Sequence, residues 1–288
     1  ELIYNFTGSL QYFLDTKQLV KVQNLLFFSK DMDSLYFQKK QLFLWFKQVF
    51  IKRIIFKLML TKSKHIEIQS NHVSTGMSDF MKISDKSFYI KSDININKDK
   101  FYLPKKYNFL NKISFVYIIG PQFTYLHKNF IDFTNAMVAF AKKGIDFEIN
   151  ITLTSGQVNS SSVWDSSLNK NTNFLGYIDD PYKFQELFCD NTILISTSVV
   201  ETLGLHVIEG IQNGVITIVP DKDYANAVYG RNMFKYELFN KNSLLDTIMS
   251  VINCKESFSS KILSLQEGLS QRELKKFNNI LEVFDEVK

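Results

Sequence analysis

The sequence predicts an α/β protein whose larger part is a doubly wound parallel sheet. Short apolar runs of the kind that form buried parallel strands recur in its second half, at residues 113–118, 147–153, 192–197 and 215–219. Helical patterns lie between or after these runs, at residues 129–143, 181–188, 204–212 and 241–252. Gly144 follows the first of these helices directly, where glycine commonly ends a helix. Strands that alternate with helices at this spacing are typical of parallel sheets with crossover helices.

The first hundred residues have a less regular pattern. The segments at residues 2–5 and 65–69 are predicted as strands, and those between residues 6 and 38 as loops. Residues 39–60 are predicted as one long helix. Lys47, Lys52, Arg53 and Lys57 interrupt its apolar sequence, so a membrane-spanning helix is not expected. Apolar residues run nearly all round this helix, which favours a largely buried helix whose lysines extend to solvent. A helix lying on a membrane surface is the alternative.

The domain boundaries follow from two local signals. Residues 98–112 are polar and contain Pro104, so they are predicted as a linker. Ser270 and Glu273 have the spacing of a capping box, which predicts a last helix over residues 270–287. We therefore expect domains over residues 1–108 and 109–270, followed by a closing helical segment over residues 271–288.

The composition is that of a folded protein. Of 288 residues, 45% are hydrophobic and 22% are charged, which excludes wholesale disorder. The net charge of +5 is mild and scattered, so it does not indicate nucleic-acid binding. It is typical of a solvated surface, and attraction to anionic phosphates or lipid headgroups is the alternative interpretation. Cys189 and Cys254 do not have metal-binding spacing. They are expected to be reduced and buried, which favours a cytoplasmic protein.

The segment from Thr197 to Glu209 carries the chemistry that the sequence predicts. It joins a predicted strand to a predicted helix, and ligands of a doubly wound sheet bind beyond the carboxyl ends of its strands. Gly204 lets the backbone approach a ligand, and the amides at the helix start suit a pyrophosphate. These amides belong to Leu203, Gly204, Leu205 and His206. Glu201 can address a sugar, while Glu209 can accept two hydroxyls of a ribose.

This motif, together with residues 213–220, resembles family 4 glycosyltransferases. These are retaining enzymes of GT-B fold, whose signature is Glu-x-Phe-Gly-Leu, a second Glu, and then Gly-x-Pro before a strand. Leu203 stands where the family has an aromatic residue, and Ile216 where it has proline. The resemblance implies two Rossmann-like domains, with a last helix that crosses back onto the N-terminal one. The glycine-rich turn of that first domain has no counterpart here, so the N-terminal domain is expected to be incomplete.

The resemblance also implies roles for single residues. Lys128 matches the family's phosphate-binding lysine, although the arginine that usually accompanies it is absent. Lys128 and Glu201 are thus the implied catalytic residues, the first for the departing diphosphate and the second for the sugar. Tyr177 or the backbone of Ile178 would hold the nucleotide base, although Tyr177 could equally be a core aromatic residue. His65 and His72 do not match the family's acceptor-side histidine, and neither is assigned a role.

The implied function is transfer of a hexosyl group from a UDP- or GDP-sugar to a surface polysaccharide acceptor, which is expected to be lipid-linked. No cofactor and no metal ion are expected, because the nucleotide-sugar is a substrate and the family's chemistry needs no divalent ion. Asp221 and Asp223 have the spacing of a metal motif but are predicted to form a surface turn. The expected location is the cytoplasm, at the inner face of the plasma membrane, with peripheral contact to anionic lipid. The alternative function is a non-catalytic subunit that binds a nucleotide-sugar.

Overall fold

The computed structural model describes the chain in eight stretches: residues 2–5, 16–23, 25–91, 96, 101–254, 257–271, 277 and 279–287. The chain divides into two compact units. Unit 1 contains residues 1–95, 200–203 and 272–288, and unit 2 contains residues 96–199 and 204–271. Within the described stretches, no helix is long and apolar enough to cross a membrane.

Unit 1 is built on a four-stranded sheet in the order β1-β2-β3-β4, with every neighbouring pair parallel. Its strands are β1 (Leu2–Asn5), β2 (Lys17–Val22), β3 (His65–Ile68) and β4 (Ser87–Ile90). The predicted strands at residues 2–5 and 65–69 are confirmed. The loops predicted up to residue 38 are wrong for part of their length, because β2 lies there as a buried strand.

The helices of unit 1 precede, connect or follow these strands in the chain. They are α1 (Lys30–Gln38), α2 (Leu42–Trp45), a π-helical segment (Phe46–Phe50), α3 (Ile51–Lys62), α4 (Asn71–Ser78) and α12 (Ile280–Val287). The loop prediction is also wrong over α1, which begins where the Ser29 hydroxyl accepts a hydrogen bond from the amide of Met32. Helix α12 packs on the sheet, where Phe284 meets Tyr4 edge to face at 5.7 Å.

The long helix predicted at residues 39–60 is present as α2, the π-helical segment and α3, which follow one another without a break. Together we call these residues, 42–62, the Phe-rich helix. Its predicted burial is wrong. A single stripe faces the protein, formed by Trp45, Val49, Arg53, Phe56 and Leu60. Most of the other apolar side chains are exposed, including Phe43 at 76%.

Unit 2 is built on a six-stranded parallel sheet in the order β10-β9-β8-β5-β6-β7. Its strands are β5 (Ile113–Tyr117), β6 (Phe147–Ile151), β7 (Thr172–Phe174), β8 (Thr192–Ile195), β9 (Ile216–Pro220) and β10 (Phe234–Tyr236). Chain order reverses between β5 and β8, which makes this the six-stranded order of a Rossmann fold. The predicted doubly wound sheet is confirmed.

The helices of unit 2 connect these strands and follow them. They are α5 (Phe130–Ala141), α6 (Ser155–Asn159), α7 (Pro181–Glu186), α8 (Leu205–Gln212), α9 (Asp223–Val228), α10 (Ser243–Ile252) and α11 (Ser259–Gln271). The prediction of a helix start at Ser270 is wrong, since Ser270 lies in the last turn of α11. Its hydroxyl donates to the carbonyl of Glu267 at 2.7 Å, as a residue inside a helix does. Glu273 lies outside the described residues.

Residues 101–112, predicted as a linker, pack against unit 2. The Tyr107 hydroxyl donates to the carbonyl of Thr192 at 3.0 Å and accepts from the amide of Ile216 at 2.6 Å, so it bridges the starts of β8 and β9. The side-chain amide of Gln266 in α11 donates to the carbonyls of Tyr102 and Ile211, both at 2.9 Å. These bonds tie the segment to strands and helices of unit 2.

The cysteines depart from the prediction of burial. Cys189 and Cys254 are both free and exposed. Cys189 follows α7 at the surface, where its thiol lies 3.3 Å from the Thr192 hydroxyl. Both residues therefore lie at the surface rather than in the core.

Candidate functional site

A pocket of about 650 Å³ lies in unit 2 at the carboxyl ends of β5 and β8. This is the point where strand order reverses, which is where Rossmann folds bind their ligands. The segment after β5 contributes Ile118, Ile119 and Gly120 to its wall, and the segment after β8 contributes Ser196, Thr197 and Ser198. The position of the pocket therefore follows from the topology of the sheet.

Hydrogen bonds between these two segments fix the position of Lys128, which also lines the pocket. The hydroxyls of Tyr117 and Thr197 lie 2.5 Å apart in the buried interior. Thr197 also donates to the carbonyl of Lys128 at 2.8 Å. The amide of Val199 donates to the carbonyl of His127 at 2.7 Å. The backbone that carries Lys128 is thus held by the strand end that precedes the Glu201 motif.

Helix α8 begins at the pocket. Gly204 is its N-cap in a left-handed conformation (φ +57°), which glycine adopts at little cost, and no side chain caps this helix start. The first two helical residues, Leu205 and His206, line the pocket. The ring Nε2 of His206 lies 3.0 Å from the Ser196 hydroxyl, so the imidazole is anchored to the segment after β8. A helix N-terminus presents amides and a positive dipole end, which together favour an anion in this pocket.

Glu209 supplies a carboxyl group one turn further along α8. Burial raises the pKa of Glu209 to about 7, because desolvation disfavours the charged form. The side chain is partly buried and lines the pocket. A carboxylate in this position is suited to accept hydrogen bonds from ligand hydroxyls that replace the lost water.

The other side of the pocket is formed by the segment after β7. Tyr177 is 89% exposed, so the alternative that it is a core aromatic residue is wrong. Tyr177 and Ile178 both line the pocket. Asp180 caps α7 by accepting from the amide of Tyr182 at 2.9 Å, and Pro181 occupies the first turn. The rim that carries Tyr177 therefore ends in a well-capped helix.

Six of the nine predicted site residues line this pocket, and Gly204 caps the helix that opens onto it. The six are Lys128, Tyr177, Ile178, Leu205, His206 and Glu209. Glu201 and Leu203 do not line it and belong to unit 1. Leu203 is almost fully buried. The structure thus brings the residues predicted to contact the phosphates, the base and the ribose together at one pocket of unit 2.

Two residues at the start of α4 hold the segment that carries Glu201. The Nε2 of His72 lies 3.1 Å from the carbonyl oxygen of Glu201. The Ser70 hydroxyl lies 3.3 Å from the carbonyl of Thr202 and 2.8 Å from the Nδ1 of His72. His72 was given no role because it does not match the family's acceptor-side histidine, and a bond to a backbone carbonyl distant in the chain leaves no local sequence signal.

The protonation of His72 follows from these partners. A carbonyl can only accept, so Nε2 carries a proton in the bond to Glu201. Burial lowers the pKa of His72, although the bond to Glu201 opposes this effect. With a neutral ring, Nδ1 accepts, and the single hydroxyl proton of Ser70 serves either His72 or Thr202. With a charged ring, Nδ1 donates to the Ser70 hydroxyl, the Ser70 hydroxyl donates to the Thr202 carbonyl, and Nε2 donates to the Glu201 carbonyl, so all three hydrogen bonds are made at once.

Other pocket residues were missed by the sequence analysis. Tyr117 is an example. Thr152 does not line the pocket, but its hydroxyl accepts from the amide of Ile119, which does, at 2.8 Å and so shapes the loop after β5. Both lie at or just after the carboxyl end of a strand. The position of a polar residue at a strand end was the available signal. In the described part of the chain, no group of three or more His, Cys, Asp or Glu residues could hold a metal ion.

Comparisons with known proteins match the fold and not the sequence. No protein-family model matches the chain, and no curated protein matches it significantly. Sucrose-phosphate synthase from Thermosynechococcus elongatus is structurally similar, with a TM-score of 0.68 and 14% identity over 99% of this chain and 72% of that one. WaaG, described as a glycosyltransferase involved in lipopolysaccharide biosynthesis, has a TM-score of 0.66 and 9% identity, covering 100% of this chain and 78% of that one.

A third similar structure is Anabaena HepE in complex with UDP and glucose, with a TM-score of 0.60. It is 13% identical, and the match covers 94% of this chain and 72% of that one. These proteins have the GT-B fold, which consists of two Rossmann-like domains. This chain likewise has two units, each built on a parallel sheet. The predicted GT-B fold is therefore confirmed.

Proposed function

We propose that this protein is a retaining glycosyltransferase that moves a hexosyl group from a UDP- or GDP-sugar to a glycan acceptor. The observation that carries the proposal is the pocket of unit 2. One helix start, one lysine and one partly buried carboxyl group surround the same space at a Rossmann switch point. This combination matches the pyrophosphate and ribose of a nucleotide-sugar. The fold similarity to HepE in complex with UDP and glucose supports the same ligand class.

In the proposed reaction, the bond between the anomeric carbon and the diphosphate oxygen breaks, and its electron pair leaves with the diphosphate. The acceptor hydroxyl forms the new bond on the same face of the sugar, and its proton passes to the departing diphosphate oxygen. Lys128 and the amides at the start of α8 stabilise the charge that grows on the departing diphosphate. Glu209 binds the ribose, Tyr177 or the backbone of Ile178 contacts the base, and Glu201 orients the sugar.

Calorimetry tests the donor site. Wild type is expected to bind UDP, GDP or a corresponding nucleotide-sugar, and Glu209→Ala is expected to weaken this binding about tenfold or more, since a carboxylate bond to a ligand contributes about 1.5–3 kcal/mol. Glu186→Ala is the matched control, because Glu186 lies on neighbouring α7 and does not line the pocket. Absence of binding in wild type, or equal binding by Glu209→Ala, contradicts the proposal.

A non-catalytic nucleotide-sugar-binding subunit is the second candidate, and the two histidines described in unit 1 favour it. His65 Nδ1 lies 3.0 Å from the Tyr89 hydroxyl, and His72 is bonded to the backbone of Glu201. Both rings are thus engaged in bonds within the protein. Nucleotide-sugar binding without any release of nucleoside diphosphate, in the presence of acceptor extracts, would establish this function instead of transfer.

The acceptor and the location complete the proposal. We place the acceptor among lipid-linked surface polysaccharides, and the protein at the inner face of the plasma membrane with peripheral contact to anionic lipid. Neither a cofactor nor a metal ion is part of the proposed reaction, since Lys128 and the start of α8 supply the positive charge. Transfer of labelled sugar into a lipid extract rather than into soluble oligosaccharide tests the choice of acceptor.

A further inference from the structure

The Phe-rich helix presents an apolar surface that the protein leaves uncovered. Eight large apolar side chains on it are exposed, from 38% for Leu44 and Ile51 to 76% for Phe43. The eight are Leu42, Phe43, Leu44, Phe46, Ile51, Ile54, Ile55 and Leu58. Single exposed apolar residues are ordinary, but a contiguous set along one helix indicates an interaction surface.

The helix is firmly attached through its other side, so this exposure does not come from a loosely packed element. Arg53 donates to both oxygens of Asp33, at 3.0 and 3.1 Å, and its guanidinium stacks on the ring of Phe80. The indole of Trp45 donates to Asp33 at 2.6 Å. Phe56 packs edge to face on Phe28, with ring centroids 5.3 Å apart. The inward stripe thus fixes which side chains point outward.

The charge of the helix identifies the kind of partner. No acidic residue occurs between residues 39 and 66, whereas Lys47, Lys52 and Lys57 are exposed among the apolar side chains. The two carboxylate bonds of Arg53 are made with Asp33 inside unit 1. The outward surface therefore combines apolar side chains with charged residues that are all basic. Phenylalanine, isoleucine and leucine can enter the acyl region of a bilayer, while lysines reach back to anionic headgroups.

A second copy of the chain fits this surface less well. Across a two-fold axis the same lysines would face one another, and the helix has no carboxylate to pair with them. We therefore infer that the Phe-rich helix is a docking surface for an anionic lipid bilayer, and that it lies in the interface rather than crossing it. This inference gives the peripheral contact of the proposed function a location, but it does not depend on transferase activity.

Flotation of the full chain with vesicles tests the inference in the absence of any nucleotide-sugar, so its outcome is independent of the transferase proposal. The chain is expected to float with vesicles of phosphatidylcholine and phosphatidylglycerol, and to do so much less with phosphatidylcholine alone. Lys47→Gln/Lys52→Gln/Lys57→Gln is expected to lower the partition coefficient about a hundredfold at low salt, since each basic residue contributes about 1 kcal/mol near an anionic surface. Lys142→Gln/Lys143→Gln/Lys241→Gln is the control at exposed lysines of unit 2.

The apolar contribution is tested separately. Phe43→Gln/Phe46→Gln/Leu58→Gln is expected to abolish flotation, while Leu110→Gln/Leu263→Gln/Leu281→Gln, at exposed leucines elsewhere, leaves it unchanged. Phe43→Trp provides a reporter that keeps the surface apolar, and its emission should be quenched by lipids brominated on their acyl chains. The inference is overturned if wild type does not float, or if both helix variants float like their controls. It is also overturned if wild type forms dimers in solution that Phe43→Gln/Phe46→Gln/Leu58→Gln dissociates.

Discussion

The ammonium group of Lys21 lies 3.5 Å from a carboxylate oxygen of Glu67, and both side chains are almost completely excluded from solvent. The two residues are direct partners in the pairing of β2 with β3, so the parallel register alone places them side by side. Neither oxygen of Glu67 has a hydrogen-bond partner among the described residues, so the opposite charge of Lys21 is its main compensation there. A buried charge without compensation is costly.

Removal of one partner of this pair is expected to destabilise unit 1. Lys21→Met should lower the free energy of unfolding by about 3–5 kcal/mol, because it leaves the Glu67 carboxylate buried without its countercharge. Lys21→Met/Glu67→Leu should recover most of this loss, since buried ion pairs are often replaceable by apolar residues of similar volume. Urea denaturation followed by circular dichroism measures both effects.

The exposed ion pair of Lys30 with Asp79, at 2.9 Å, provides the control. Asp79→Asn should cost less than about 1 kcal/mol, because solvent screens a surface pair. If Lys21→Met were as mild as Asp79→Asn, the Lys21–Glu67 pair would not matter for stability.

The same lysine shows why unit 1 was harder to predict than unit 2. The strand Lys17–Val22 contains two lysines, and a lysine ordinarily indicates a surface loop, so the buried position of Lys21 could not be inferred. Helix α1 did carry a usable signal, since Ser29 precedes Asp31 and Asp33 in the manner of a capped helix start. In contrast, four of the six strands of unit 2 were predicted to within about two residues at either end, because continuous apolar runs are typical of strands buried on both faces. The two short edge strands, β7 and β10, were not predicted.

The candidate site was likewise predictable in part. The motif from Gly204 to Glu209 is local in sequence, and its strand-to-helix context indicated which helix faces the ligand. Contacts such as Tyr117 with Thr197, or His72 with Glu201, join residues far apart in the chain. They depend on which strands are neighbours and on where loops end, and one sequence does not specify either.

The exposure of the Phe-rich helix was missed for a related reason, since apolar residues all round a helix indicate burial in a core and in a lipid surface equally.

The raised pKa of Glu209 predicts a pH dependence of donor binding. Because burial raises this pKa to about 7, the carboxyl group is mostly protonated near pH 6 and mostly ionised near pH 8. Ribose hydroxyls donate more strongly to the ionised form, so affinity for a nucleotide-sugar should rise by up to about tenfold across this range. Calorimetry of wild type and Glu209→Gln measures it, and the slope should vanish in the variant. Glu186→Gln should keep the wild-type profile, and a persistent slope in Glu209→Gln would assign the titration to another group.

The same shift has a consequence for stability. The pKa of Glu209 is raised from 4.5 in the unfolded chain to about 7 in the folded one, so the folded state holds the proton more tightly. The free energy of unfolding should therefore fall as pH rises from about 4.5 to about 7, and this contribution stays lost above that range. Glu209→Gln should remove the fall and be more stable than wild type near pH 8, by on the order of 1 kcal/mol after allowance for the partial exposure of the group.

His72 is expected to support binding of the sugar rather than of the nucleotide. His72→Ala removes the donor to the Glu201 carbonyl and loosens the segment that carries Glu201, but it touches none of the residues that line the pocket of unit 2. The variant should bind the nucleoside diphosphate like wild type and bind the nucleotide-sugar several-fold more weakly. Calorimetry with the two ligands in parallel gives the ratio. His65→Ala is the control, since His65 bonds to Tyr89 and not to this segment. Equal losses for both ligands would show general destabilisation instead.

Gly210 of helix α8 is expected to be essential for the packing of the site helix on its sheet. A Cβ atom at this position would lie 2.5 Å from the Leu194 side chain in β8 and 3.0 Å from the Thr217 hydroxyl in β9, both in the buried core. Gly210→Ala should therefore destabilise unit 2 by about 1–3 kcal/mol through overpacking, and it should shift the start of α8 away from the pocket enough to weaken donor binding.

Gly268→Ala in α11 is the matched control, because nothing lies within 4 Å of its added Cβ. That change should stabilise the protein by about 0.5–1 kcal/mol, since alanine favours a helix interior. Thermal denaturation distinguishes the two variants by the sign of the shift in Tm, and a neutral or stabilising Gly210→Ala would mean that α8 can move off the sheet without cost.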